Sequence, residues 1–312
     1  MRILFMGTPE YALFSLRALC EAGENIVGVV TQPDKPKGRG YELCPPPVKV
    51  FAMEWGIPVY QPKTLRNGAF DAELKELAPD LIIVVAYGKI LPPSVLSLPR
   101  FGCINVHGSL LPAYRGAAPM QRAIMEGCAE TGVTTMQMAE GLDTGAMLVT
   151  VRVPIGENDN FEDIHDRLGV AGAQALLETV ARLRAGTLEP VPQDDSLATY
   201  AAKIEKADCL LDFSQDACTL HNRIRGLSPF PLAFTRTPDG RMLKVPQSRV
   251  GTKCAPTGAK NGEVLALDGT ITVACGEGTT LEILRVLPEG KGRMLAADYI
   301  RGRRLKIGDI LG

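Results

Sequence analysis

Residues Arg2–Met6 and Ile26–Thr31 form two apolar runs, and between them Ala12, Leu13, Leu16 and Leu19 recur at helical spacing. A strand apolar on both faces has to be covered on both. Strand, helix and strand in this order are the unit of a parallel sheet sandwiched by helices. That alternation commits the first part of the chain to the α/β class, with a mostly parallel sheet. Gly7, Thr8 and Pro9 punctuate it as turn, helix N-cap and first helical residue. The turn lacks the G-x-G-x-x-G spacing of a dinucleotide site, so it reads as punctuation only. A third run, Leu81–Ala86, reads as a central buried strand. Ligands of open α/β sheets collect beyond the carboxyl ends of the strands. Residues 86–91 and 105–112 are therefore expected to wall one crevice.

The pattern changes after a long helix expected over Phe161–Ala185. A Pro/Gln/Asp-rich stretch without period, residues 190–205, divides an expected first domain, 1–189, from a second, 206–312. Beyond a helical segment at Cys218–Ile224 come short β-like runs at Leu232–Thr237, Leu243–Ser248, Gly262–Leu267, Thr270–Ala274 and Thr280–Leu287. Short strands so spaced argue a small β-barrel of the oligonucleotide-binding kind. The net charge of the 312 residues is −1, but from Glu205 onward 16 Lys/Arg stand against 12 Asp/Glu, leaving +4 there and −5 before it. A basic second domain suits a polyanionic partner, and so few surplus charges suit a solvated surface equally well.

Eight cysteines with no CxxC pair, and three histidines not spaced to join them, argue against a zinc site, and no metal is expected. The opening Met1–Gly7 is too short for a signal segment, and no apolar run has membrane-spanning length. The expectation is a cytoplasmic protein with reduced thiols and no membrane partner.

The chemistry-bearing stretch runs from Gly102 to Pro119. Asn105 and His107 stand two apart on an extended backbone, so their side chains leave one face where the strand gives way to a Gly/Pro loop. Downstream, Asp143 sits in a turn between Gly141 and Gly145. An amide donor, a titratable imidazole and a carboxylate are the parts needed to move an acyl group onto an amine. A histidine near a strand end is as readily structural, and spacing alone leaves both readings open. Ser109 lacks the setting of a nucleophile elbow. Cys103 is expected to pack, and His165 to be an ordinary surface histidine. Residues 32–47, with five prolines and the cations Lys35, Lys37 and Arg39, are expected to form a long loop. Such a loop is either a solvated insertion or a basic finger that meets nucleic acid.

Asn105-Val106-His107-Gly108-Ser109-Leu110-Leu111-Pro112, with Gly141-Leu142-Asp143-Thr144-Gly145, closely resembles the active-site pair of the folate-dependent formyltransferases. The close of the chain, Asp298–Leu311, and the early loop Gln32–Gly40 resemble the members of that family that act on methionyl-tRNA. The likeness runs from Met1 to Leu311. It implies a Rossmann-like formyltransferase domain followed by an OB-like tRNA-binding domain. It also implies transfer of the formyl group of 10-formyltetrahydrofolate to the amino group of methionine on initiator tRNA, for translation initiation. Asn105, His107 and Asp143 are the implied catalytic residues. Ser109, Leu110, Leu111 and Pro112 would line the folate pocket, with Tyr87, Gly88, Ile90 and Leu91 across from them. Lys35, Lys37 and Arg39 of the loop, and Arg301, Arg303 and Arg304 of the tail, would meet tRNA. The partners are then initiator methionyl-tRNA and the folate cosubstrate, with the protein acting as a monomer. Tyr41 and Glu42 depart from the family, which often carries further lysines there. The rival readings are a formyltransferase acting on an amino sugar nucleotide, a folate hydrolase, and a folate- or RNA-binding protein without turnover. The basic loop and tail favour tRNA.

Overall fold

The computed structural model describes residues 1–37, 42–302 and 304–312. They fold into two compact units that interleave in sequence. Met1–Gly116, Thr131–Pro154 and His165–Tyr200 form the first, and Ala117–Glu130, Ile155–Ile164 and Ala201–Gly312 form the second.

The first unit is built on a seven-stranded sheet in the order Met147–Pro154, Glu130–Gln137, Cys103–His107, Leu81–Val85, Arg2–Gly7, Asn25–Val30 and Val59–Tyr60. The last five of these run parallel, and Glu130–Gln137 lies antiparallel against the His107 strand. Every residue of Leu81–Val85 is buried, as its unbroken apolar run requires of a strand covered on both faces. The chain starts in the middle of the sheet, works outward to Val59–Tyr60, and returns to the other side of its first strand. The order reverses between Arg2–Gly7 and Leu81–Val85, so the crevice of the fold opens beyond their carboxyl ends. A Cβ on Gly7 would stand 2.7 Å from the Phe5 ring and 3.0 Å from the Val85 carbonyl oxygen. Nearby, Thr8 Oγ1 and Gln32 Nε2 both donate to the Tyr87 carbonyl, at 3.2 and 3.1 Å, tying three strand ends together.

The second unit holds an antiparallel sheet in the order Ala233–Arg236, Met242–Val250, Thr280–Pro288, Ile271–Ala274 and Val264–Leu267, with Met294–Leu295 added beside Thr280–Pro288. The first five are the short β runs expected from the sequence, and Met294–Leu295 is an addition to them. Its two edge strands are stitched by the last residues of the chain. Val264 N donates to the Asp309 carbonyl and Leu311 N to that of Gly262, each at 2.8 Å, while Gly312 N reaches the Arg236 carbonyl at 3.1 Å. That closure gives the sheet its barrel character. Leu220 and Ile224 of the helix Ala217–Gly226 join Val245, Ile271, Leu281 and Ile283 in its core. Gly226 lets this helix approach the helix Pro119–Met125, because a Cβ there would lie 2.7 Å from the Met125 side chain.

Two sequence expectations need correction. Residues 32–47 are not an unstructured loop. Lys35–Lys37 pairs antiparallel with Glu42–Cys44, and Pro47 opens the helix Pro47–Glu54. The prolines concealed the ladder, yet a two-stranded ribbon tolerates Pro36 because each strand has a free edge. His165 is also no free surface residue, since its ring lies 5.4 Å from that of Tyr11 and 6.2 Å from that of Phe14.

His221 makes the stability of the second unit depend on pH. It is 5 % exposed; Nε2 donates to the Glu157 carbonyl at 3.2 Å, and Nδ1 accepts from the Ser248 hydroxyl at 3.1 Å. Burial pushes its pKa below the usual histidine value, against a smaller opposing pull from the Glu157 carbonyl. As pH falls below about 6.5 the unfolded chain takes up the proton first, so stability drops from there down to the lower folded-state pKa. His221→Gln is expected to flatten the fall in melting temperature between pH 7 and pH 5, relative to the parent chain. Parallel curves for the two proteins would show that His221 contributes no such dependence.

Candidate active site

The strand Cys103–His107 is held between Leu81–Val85 on one side and Glu130–Gln137 on the other. Its end therefore cannot drift, and Asn105 and His107 share one face there. His107 is 6 % exposed, and its Nε2 lies 2.9 Å from the Tyr114 carbonyl oxygen. A carbonyl only accepts, so Nε2 carries the hydrogen. Nδ1 is left as the ring nitrogen with a lone pair, and it faces Asp143 Oδ2 at 3.6 Å. That separation is longer than a direct hydrogen bond but close enough for the carboxylate charge to act on the ring.

Asp143 occupies the turn between Glu130–Gln137 and Met147–Pro154, with φ at +52°. Its Oδ2 accepts from the Gly116 backbone N–H at 2.8 Å. Gly145 admits no side chain, because a Cβ would overlap the Gln137 carbonyl oxygen. The carboxylate is thus aimed at the imidazole by a turn with almost no freedom. Four residues that were not singled out from the sequence support this arrangement. Gln193 Nε2 donates to the carbonyls of Asp143 and Gly145. Arg115 Nε donates to Gln193 Oε1, and Tyr114 N donates to Thr199 Oγ1. Gln193 and Thr199 lie in an aperiodic stretch, where no sequence signal marks them.

The loop after His107 folds back on itself. Ser109 is fully buried; its hydroxyl donates to the Ala113 carbonyl at 2.7 Å, and its carbonyl accepts from Thr134 Oγ1 at 2.8 Å. Leu111 is buried, while Leu110 and Pro112 are half-buried. Across the crevice, Tyr87 and Leu91 belong to an apolar cluster with Met6, Val30 and Leu65. Burial pushes the Tyr87 hydroxyl up to about 12. Gly88 stands at φ +78°, and Ile90 is 78 % exposed. Cys103 packs as expected, with burial raising its thiol to about 12. Lys35 is exposed on the first unit; Arg301 and Arg304 are exposed on the second, where Arg301 pairs with Asp298. Arg39 and Arg303 lie outside the described residues, as does the Lys37 side chain. Among the described residues, no group of three or more His, Cys, Asp and Glu side chains could hold a metal ion. No helix among them is long and apolar enough to cross a membrane.

Residues 1–180 match the formyl transferase family, and residues 203–304 match the formyl transferase C-terminal domain. The chain belongs to the formyl transferase family. Among its relatives is a methionyl-tRNA formyltransferase of Geobacter metallireducens, 49 % identical over 100 % of this chain and 99 % of the relative. Another, from Bacillus subtilis, is 47 % identical over 100 % of this chain and 98 % of its own length. The fold also matches solved structures. An N-formyltransferase from Helicobacter canadensis, in complex with folinic acid and dTDP-3-aminofucose, superposes with a TM-score of 0.68 at 19 % identity, covering 90 % of this chain and 98 % of that one. HypX from Aquifex aeolicus in complex with tetrahydrofolic acid superposes with 0.64 at 20 % identity, over 98 % of this chain and 48 % of its own. Within this formyl transferase, the fixed turn should be indispensable. Gly145→Ala is expected to displace Asp143 and lower turnover about 100-fold, the usual cost of an ångström's misplacement. Steady-state rates should be read beside far-ultraviolet circular dichroism. A variant with parental turnover would show that the turn need not hold its place.

Proposed function

We infer that the chain transfers the formyl group of 10-formyltetrahydrofolate to the amino group of methionine on initiator tRNA. Full-length likeness to methionyl-tRNA formyltransferases supports this acceptor over an amino sugar nucleotide. The observation that carries the chemistry is the histidine: Nε2–H is committed to the Tyr114 carbonyl, and Nδ1 faces Asp143 across 3.6 Å.

In the proposed reaction the methionyl amine attacks the formyl carbon, a C–N bond forms, and the carbonyl oxygen becomes an oxyanion. The Asn105 amide N–H donates to that oxygen, a contribution of ~3–4 kcal/mol in other acyl-transfer sites. His107 takes the amine proton at Nδ1, and Asp143 favours the imidazolium so formed. The bond from the formyl carbon to the folate nitrogen then breaks, and the proton passes from Nδ1 to that leaving nitrogen. No covalent enzyme intermediate is needed. The backbone around Tyr87 and Gly88, with Ile90, Leu91 and the segment Ser109–Pro112, is proposed to receive the folate.

The tRNA is proposed to meet Lys35, Lys37 and Arg39 of the early basic segment, and Arg301, Arg303 and Arg304 near the end of the chain. Lys89, whose pKa is lowered by burial and then by the nearby Lys35 charge, adds to a local positive field that suits phosphate. The matches at 1–180 and 203–304 support a catalytic part divided from a tRNA-binding part within 190–205. A monomer working in the cytoplasm is the accompanying proposal.

His107→Ala and Asn105→Ala are each expected to lower turnover by ~10²–10⁴-fold, with folate binding little changed. Parental turnover in either variant would remove that residue from the mechanism. Lys35→Ala and Arg304→Ala should each weaken tRNA binding and make its logarithmic salt dependence shallower by about one, as one phosphate contact is lost. An unchanged slope would reduce that cation to a solvated surface charge.

A further inference from the structure

The stretch that divides the two parts in sequence reaches back into the catalytic site. Gln193 Nε2 donates to the Asp143 carbonyl at 2.8 Å and to the Gly145 carbonyl at 2.7 Å, while its Oε1 accepts from Arg115 Nε at 3.0 Å. Carbonyls only accept and a guanidinium only donates, so the amide fits one way round. Arg115 is 2 % exposed, and its other arm reaches Asp195 Oδ1 at 2.7 Å. Burial works against its charge, but the hydrogen bonds to Asp195 and Tyr200 outweigh it and keep the guanidinium charged. Six residues on, Thr199 Oγ1 accepts from Tyr114 N and the Thr199 carbonyl from Arg115 N, both at 2.8 Å. Tyr114 in turn supplies the carbonyl that binds His107 Nε2. Residues 193–199 therefore brace both sides of the imidazole, the carboxylate side through Gln193 and the carbonyl side through Thr199.

We propose that Gln193 is a positioning residue, setting the distance between Asp143 and His107. The turn carries a non-glycine residue at φ +52°, a conformation that persists when surrounding contacts impose it. Gln193 supplies that restraint by holding the carbonyls on either side of Thr144. Glutamine alone among side chains of this length presents two N–H bonds to the carbonyls and an oxygen to the arginine. Glutamate has the same shape and would keep the Arg115 contact. It would, however, set a carboxylate oxygen against two carbonyl oxygens at under 3 Å, with no donor between them.

The inference rests on the role given to Asp143 above, and the test separates the two. Gln193→Glu, Gln193→Met, Asp143→Asn and the double variant Q193E/D143N are compared in the full chain, with 10-formyltetrahydrofolate and charged initiator tRNA. Both Gln193 variants should lower kcat about 10- to 100-fold with the folate KM within about twofold, and displace the acid limb of the kcat–pH profile. Both should remain folded at the assay temperature by circular dichroism, with melting temperatures lowered by the lost hydrogen bonds. The double variant should be no slower than Asp143→Asn alone, because Gln193 acts through that carboxylate. Parental kcat and pH limb in both Gln193 variants, beside a crippled Asp143→Asn, would overturn the positioning role alone. So would losses that multiply in the double variant, or that track a loss of folded protein. Parental rates in Asp143→Asn would overturn the role of Asp143 and the inference with it.

Discussion

The hydrogen bond from His107 Nε2 to the Tyr114 carbonyl decides what this site can do. A neutral bond of that kind is worth only about 0.5–1.5 kcal/mol of stability, yet it selects the tautomer. It leaves Nδ1 to face the carboxylate. The bond exists because the loop after His107 returns to the strand end it left. Ser109, buried and bonded through both hydroxyl and carbonyl, makes that return obligatory. Strand end and returning loop are one continuous stretch, and the glycine-flanked turn comes from a second part of the chain, joined to the first through the Gly116 N–H on Asp143. In the proposed reaction, preorganisation of this kind would let an uncharged amide and an imidazole serve acyl transfer without reorganising.

What the sequence discloses about this arrangement follows from the range over which each signal acts. Arg2–Gly7 and Leu81–Val85 are legible because burial on both faces writes an unbroken apolar run. Phe161–Ala185 is legible because a long amphipathic helix repeats its period many times. Asn105 and His107 can be paired on paper because a strand has period two, and Asp143 stands out between its glycines. Gln193 and Thr199 carry no such mark. Their partners lie 48 to 85 positions away, and a single amide or hydroxyl in a polar stretch has no periodicity to betray it. The hairpin at Lys35–Lys37 was hidden for the opposite reason, since its prolines advertise a loop and its ladder is three residues long. Tyr87 and Leu91 illustrate a further ambiguity. Residues beside a crevice and residues of the core share the same apolar alphabet, and only packing separates them.

Charge and architecture divide the labour in the proposed reaction. A surplus of cations follows Glu205, in the part that also carries the closed antiparallel sheet. Asn105, His107 and Asp143 sit in the first unit, at the end of a sheet whose central strands are shielded on both faces. Long-range attraction for a polyanion needs exposed charge in high dielectric, whereas proton transfer needs charge kept from water. Keeping the exposed cations apart from His107 and Asp143 allows each task its own dielectric.

The interleaving of the units also bears on how the chain is made. Met125, at the end of the helix Pro119–Met125, packs against the core of the second unit, and Gly226 receives it. The helix Ala217–Gly226 begins about ninety residues later, so at ~5–20 residues per second the earlier helix waits roughly 5–20 seconds for its seat. The strand pairs from Arg2 to His107 need no such delay. During that interval the ribosome carries a chain whose parallel sheet can assemble while one apolar helix hangs unclaimed, a target for chaperones that the finished molecule no longer displays.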